Sequence, residues 1–330
     1  MKTLKSIFRR HPEELEFEKG TSLWADAWKR LIKNKAAVAG FCFFATMLVA
    51  AVVGPWLMPY SYDQADFSRV NNPPFVLNLD EFEIQTGLAL DAADYSSIFG
   101  IYWNTKHWLG TDDLGRDMLA RLLFGARVSL AVGFLAGFVS LLIGVLFGSI
   151  AGYVGGRVDN IMMRFVDTLY SLPYMFFVII LMALAGRSFI LLFIAIGAVS
   201  WLTTARIVRG QVISLKNSEF IEAAHASGTG HLAIVLKHLI PNTLGPIIVY
   251  FSLIVPRVML EEAFLSFLGL GVQAPMSSWG LMVADGKTYV DQYPYMVILP
   301  GLALTLTLFS LNFIGDGLRD ALDPRLKGKQ

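Results

Sequence analysis

The chain has 330 residues, 55% of them hydrophobic and 16% charged, against about 25% charged in an ordinary soluble domain. Its 27 basic and 26 acidic residues leave a formal net charge of +1, which argues against a general affinity for nucleic acid. A single cysteine, Cys42, excludes an internal disulfide framework.

Residues 1–35 read as a polar tail, too long to be the n-region of a cleaved signal peptide. Ala36 to Met58 then contains no Asp, Glu, Lys, Arg or His. About 20 helical residues cross a hydrocarbon core about 30 Å thick, so this stretch reads as a first membrane span and a retained signal anchor. Cys42 lies inside it, where a buried, inert thiol is expected.

Residues 59–127 form the one sizeable outer loop, directly after the first span. Its first half holds Asn71-Asn72-Pro73-Pro74, a poor sequence for regular structure. Its end reads GTDDLGRDMLARLLFGARVSL. Asp112 or Asp113 suits a helix N-cap, and Leu114, Met118, Leu119, Leu122 and Leu123 fall near one helical face. An interfacial helix is expected here, with Arg116, Arg121 and Arg127 reaching for lipid headgroups. A metal site at Asp112, Asp113 and Asp117 lacks the spacing of a calcium loop.

The second span, Val128 to Gly152, carries Ser140, Gly144, Gly148, Gly152 and, beyond it, Gly156, each four apart. Such a stripe shares one helix face and lets another helix approach closely. Thr168 to Thr204 is too long to cross once and is interrupted by Gly186-Arg187-Ser188, so it reads as a hairpin of two spans. Leu244 to Gly271 and Gln292 to Gly315 complete a set of six. Of the 27 Lys and Arg, 19 fall in segments that share a side with the N-terminus and 7 on the other. Both termini are therefore expected in the cytoplasm. The division that follows is a tail (1–35), a first span (36–58), an outer loop (59–127), a five-helix core (128–315) containing the cytoplasmic loop 205–243, and a C-terminal tail (316–330).

That cytoplasmic loop is too polar to span and too apolar to be a free linker. Ser218 followed by Glu219 and Glu222 suits a helix start. Gly228 and Gly230 break the helix, His231 to Ile240 resumes it, and Pro241-Asn242 is expected to stop it. The product is a bent pair of short helices suited to docking in a groove on another protein. Arg206 and Arg209, just before it, are expected to anchor the preceding span at headgroups.

Glu222-Ala223-Ala224, then Gly228, then Pro241-Asn242 resembles the EAA loop of binding-protein-dependent ABC importer permeases. His238-Leu239-Ile240-Pro241-Asn242 departs from the general I-x-L-P ending and resembles the dipeptide and oligopeptide branch, in particular its C-type subunits. GTDDLGRD, the stretch SFLGLGVQAPMSSWG (Ser266 to Gly280) and the C-terminal FIGDGLRDALDPR are similar to that branch as well. The resemblance implies an all-α integral membrane protein with a type I (MetI-like) permease core in the bacterial inner membrane. It implies a second, homologous permease subunit, two cytoplasmic ATPase subunits and an extracytoplasmic peptide-binding protein as partners. Glu222, Ala223, Ala224 and Gly228, and more loosely Pro241 and Asn242, would form the coupling helix region that an ATPase cleft receives. ATP and Mg would be bound by those ATPases and no cofactor by this chain, which lacks a G-x-x-x-x-G-K-[ST] loop. Related systems carry nickel, murein peptides or antimicrobial peptides.

Arg257, Glu261 and Glu262 fall inside the fifth span. A charge facing lipid at mid-bilayer costs about 2.5–3.5 kcal/mol on insertion scales, so these three are expected to face protein or water, either as a structural pair or as part of the pathway. A stand-alone channel or secondary transporter would need several intramembrane carboxylates or an inverted repeat, and only one span carries such charges. No H-E-x-x-H or G-x-S-x-G motif supports a hydrolase.

Overall fold

Asn34 joins the first two helices of the computed structural model, which describes residues 23–186 and 188–322. Its side-chain oxygen accepts the N–H groups of Ala36 and Ala37 at 3.1 and 3.2 Å, capping α2 (Lys35–Leu57) directly after α1 (Leu23–Lys33). The rest of the expected N-terminal tail, residues 1–22, lies outside the described residues, as do Arg187 and the end of the C-terminal tail from 323. The α2 helix buries only Ala37, Gly40 and Ala51. Cys42 is exposed on its other face, correcting the expectation of a buried thiol.

The outer loop folds into a small lobe. Phe75–Val76 (β1), Tyr95–Ile98 (β2) and Ile101–Asn104 (β3) form an antiparallel sheet in the order β1-β3-β2, with α3 (Leu79–Thr86) beside it. Val76, Leu90 and Tyr95 make its core. The Asn-Asn-Pro-Pro segment, expected to resist regular structure, is held by the lobe: Tyr95 Oη donates to the Pro73 carbonyl at 3.0 Å and the Asn104 N–H to that of Pro74 at 2.9 Å. Asp94, fully buried, receives Arg69 Nε at 2.7 Å and the Lys106 ammonium.

No separate interfacial helix leads into the second span. Met118–Val154 is one helix, α4, whose cap is Asp117, accepting the Ala120 N–H at 2.7 Å. Asp112 is instead buried and pairs with Arg116 at 2.7 Å and with Arg121. Arg121 also reaches Asp285 at 3.1 Å, so it turns into the protein and away from headgroups. Arg127 donates to the carbonyls of Ala51 and Val52, both at 2.5 Å. Carboxylate and carbonyl acceptors within reach inside the fold win over lipid contact because they give the guanidinium groups short, charge-assisted bonds. No cluster of metal-ligating side chains occurs among the described residues.

The expected hairpin of two spans is half right. After α4, α5 (Gly156–Tyr170) is polar on one side and held to α7 (Phe189–Leu215) by Asp159–Arg209 and Asp167–Arg206 pairs, both at 2.5 Å. These bonds replace the expected headgroup role of the two arginines. The chain then turns by 79° into α6 (Tyr174–Ala185), because Pro173 lacks an N–H and disfavours helix at Leu172. Twelve helical residues span only about 18 Å, too little to cross a bilayer alone.

The small stripe of α4 packs on α7. A Cβ on Gly144 would lie 2.4 Å from Thr204 Cβ, and one on Gly152 2.9 Å from the Arg209 carbonyl. Ser140 and Thr204 share a 3.2 Å hydroxyl contact. Gly156 does not belong to this seam; it opens α5, with nothing within 4 Å.

Beyond α7 comes α8 (Glu219–Ala226) and, after a turn, α9 (His231–Ala233), which continues without interruption through a π-helical stretch (Ile234–Leu239) into α10 (Ile240–Phe267). Pro241 therefore does not stop the helix as expected. The wider turn before it shifts the hydrogen-bond register, with the Ile240 N–H bonding the Val235 carbonyl, and the missing proline donor is absorbed near that shift. Next follow α11 (Trp279–Gly286) and α12 (Tyr295–Leu322), against which α1 and α2 pack. Among the described residues five helices are long and apolar enough to span, and α5–α6 counts as a sixth if taken as one bent span. The main core lies between α4, α7, α10, α11 and α12, around Val132, Leu192, Ile196, Met259, Leu265 and Trp279.

Candidate functional site

Two places combine exposed chemistry with a rigid mount. The first is α8, at the end of the bundle opposite the sheet. Ser218 precedes it as the N-cap residue, and its end is a Schellman turn: the Gly228 N–H bonds the His225 carbonyl at 2.9 Å and the Thr229 N–H that of Ala224 at 3.0 Å. Gly228 has φ +77°, which an L side chain adopts only with strain.

One face of α8 is anchored. Ile221 is fully buried and Ala224 nearly so, packed with Val208, Val212, Ile234 and Leu239. The other face is open: Glu222, Ala223 and Gly228 are exposed. The EAA triplet is thus split, with Glu222 and Ala223 presented outward and Ala224 serving the mount. Pro241 and Asn242 are exposed too, but on the helix leaving the knob; Asn242 Nδ2 donates to the His238 carbonyl at 2.6 Å. Among the described residues no hydrogen bond joins these two to α8.

Sequence reasoning passed over Tyr153, whose hydroxyl contacts His231 Nδ1 at 2.6 Å and whose ring stacks near His225. It ties the end of α4 to the knob. Nothing in the local pattern signals this contact, because it joins residues 78 apart. Ile221 was legible: with Ala224 it gives an apolar i, i+3 pair.

The second place is on α10. Glu262 is fully buried: it accepts Ser266 Oγ and Ser278 Oγ, each at 2.7 Å, with Ser129 Oγ at 3.5 Å. Ser129 in turn accepts the Trp279 N–H at 3.1 Å. This cluster joins α4, α10 and α11, and none of the three serines is marked by the sequence as its partner. Glu261 faces the other way. It is 5% exposed and receives Arg257 Nε at 2.9 Å, while the Arg257 side chain is 54% exposed. The structure thus separates three charges that the sequence placed together: Glu262 is a buried joint, and Arg257 and Glu261 border a cavity of about 580 Å³ with Tyr174 and Phe264.

With this geometry in hand, comparison with known proteins gives a consistent picture. Residues 144–328 match the family model described as binding-protein-dependent transport system inner membrane component, and residues 22–74 that of the N-terminal TM domain of oligopeptide transport permease C. The chain is 47% identical over 313 residues to the oligopeptide transport system permease protein OppC of Haemophilus influenzae, covering 95% of this chain and 92% of that protein. OppC of Escherichia coli K12 is likewise 47% identical, with 95% and 94% covered. The dipeptide transport system permease protein DppC of Bacillus subtilis is 43% identical, with 92% and 86% covered. A solved structure of the MetNI methionine ABC transporter superposes with a TM-score of 0.53 at 17% identity, over 62% of this chain and 98% of that one.

Proposed function

The chain belongs to the family of binding-protein-dependent transport system inner membrane components, and we propose that it forms half of the translocation pathway of an ATP-driven importer of oligopeptides or dipeptides. It is a multi-pass membrane protein, and the bacterial inner membrane is its proposed location. The other half of the pathway would come from a second, homologous permease subunit. Two cytoplasmic ATPases would bind ATP and Mg, and an extracytoplasmic binding protein would deliver the peptide. Catalysis of ATP hydrolysis is assigned to those ATPases and not to this chain.

The observation that carries this reading is the two-sided character of α8. Its outward face, with Glu222 and Ala223, is free, while Ile221 and Ala224 fix the helix to α7 and to the root of α10. A force applied to the outer face is therefore passed to two spanning helices as a rigid-body displacement, the kind of motion that switches a cavity between two openings. A solvated linker would not transmit it.

The test is a Cys42→Ala, Ala223→Cys chain, purified with its partners and treated with a short bifunctional thiol reagent. Cross-linking to an ATPase subunit, with peptide uptake dependent on ATP, is the expected result. Uptake by the purified chain alone, without nucleotide, would sink the importer reading in favour of a channel.

A further inference from the structure

Arg257 stands between two cavities within the membrane-spanning helices. One, of about 580 Å³, is lined by Tyr174, Arg257, Glu261 and Phe264; the other, of about 230 Å³, by Tyr170, Tyr174, Ser200, Thr203 and Arg257. Arg257 lies ten residues before the end of α10, about 15 Å along the axis of a helix long and apolar enough to span. Half-exposed there, its guanidinium cannot face lipid without a large cost, so that side faces water or protein.

The pair is also incomplete. Glu261 Oε1 takes the Arg257 Nε donor, but Glu261 Oε2 is buried without a hydrogen-bond partner. Arg257 gives Glu261 only Nε, and no second carboxylate shares its Nη edge among the described residues. The Tyr174 ring lies 5.6 Å from the guanidinium carbon and helps to hold it in place. A fully structural pair would close these bonds, because an unsatisfied buried acceptor carries a desolvation penalty. Together they present a fork of donors, held from behind by a buried carboxylate, on a wall that also carries hydroxyls.

Resting on the importer reading above, we propose that Arg257, positioned by Glu261, is a specificity-determining contact for the passing peptide. The guanidinium Nη edge receives the C-terminal carboxylate, whose planar geometry matches the fork. Glu261, bonded to Nε, fixes the guanidinium so that this edge stays open to the cavity. Arg257 would thus favour a peptide acid over the same peptide blocked as an amide. Ser200 and Thr203 extend the polar strip toward the α8 end of the bundle, giving the released carboxylate further donors.

Removing Arg257 alone would strand a buried carboxylate, so the informative chain is the double variant Arg257→Gln, Glu261→Gln, which stays neutral and retains hydrogen-bonding groups. The experiment uses the full complex in proteoliposomes, with loaded binding protein outside and ATP inside. Uptake of one tripeptide is compared with that of its C-terminal amide, and ATPase stimulation is measured alongside. The expected result is an acid-over-amide preference reduced about tenfold, the size of one charge-assisted contact, with ATPase stimulation reporting that the complex is assembled. An unchanged preference in the double variant overturns the proposal, whatever the absolute uptake. Failure of the unaltered complex to couple uptake to ATP would instead overturn the importer reading itself.

Discussion

Gly148 of α4 and Ala205 of α7 meet backbone to backbone: a Cβ on Gly148 would lie 2.4 Å from the Ala205 carbonyl oxygen and 3.0 Å from the Arg209 nitrogen. The two helices can approach this closely only because the seam carries no side chain there. Gly148→Leu should force them apart. Overpacking of this kind costs about 1–3 kcal/mol or more where only backbone can yield, so the thermal unfolding midpoint in detergent should fall. An unchanged midpoint would remove the seam from the list of stabilising contacts.

Glu262 tests a buried joint. Glu262→Leu leaves Ser266, Ser278 and Ser129 without their shared acceptor, at about 1–3 kcal/mol for each buried group stranded. Glu262→Gln keeps an oxygen for Ser266 and Ser278 and should cost far less. Folded yield of the two variants, by size-exclusion chromatography, should separate them clearly.

Arg121 is 3% exposed and neutralises Asp112 within the same cluster that reaches Asp285 on α11. Arg121→Ala leaves Asp112 with Arg116 as its remaining cation, so the loss should stay below the about 3–5 kcal/mol of a fully unpaired buried charge. Adding Asp112→Asn should recover much of the loss. Failure of this second change to restore stability would show that Arg121 acts mainly through packing.

Gly228 holds the end of α8 at a positive φ. Gly228→Val should strain the turn by about 1–2 kcal/mol. Hydrogen exchange should then quicken at the Thr229 amide, which bonds the Ala224 carbonyl. Exchange unaltered there would mean that the turn does not depend on this glycine.

Asp94 predicts a pH dependence of the outer lobe. Burial alone would raise its carboxyl, but the hydrogen bonds and charges of Lys106 and Arg69 outweigh this and hold it below the usual carboxylate range. A lowered folded value stabilises the ionised, folded lobe. The contribution is complete above the unfolded value of about 3.9 and is lost as pH falls through the lower folded one. Protection of the Thr105 amide, bonded to the Asp94 carbonyl, should fall over that window and be insensitive to it in Asp94→Asn.

The sequence by itself determined the membrane class, the approximate number of spans, the packing role of the Ser140–Gly152 stripe and the place of the α8 knob. Each rests on one-dimensional signals: apolar length against bilayer thickness, four-residue spacing, and capping residues around a short polar segment. What it could not determine were pairings between distant segments. Arg121, Arg206 and Arg209 read as headgroup anchors because local pattern cannot show that Asp112, Asp167 and Asp159 come within reach of them. Pro241 read as a stop because a π turn that absorbs the missing donor leaves no mark in composition. The separation of Glu262 from Arg257 and Glu261 was likewise a tertiary decision. Adjacent residues on a helix point about 100° apart, so which of them meets serines and which meets a cavity depends on the neighbouring helices alone.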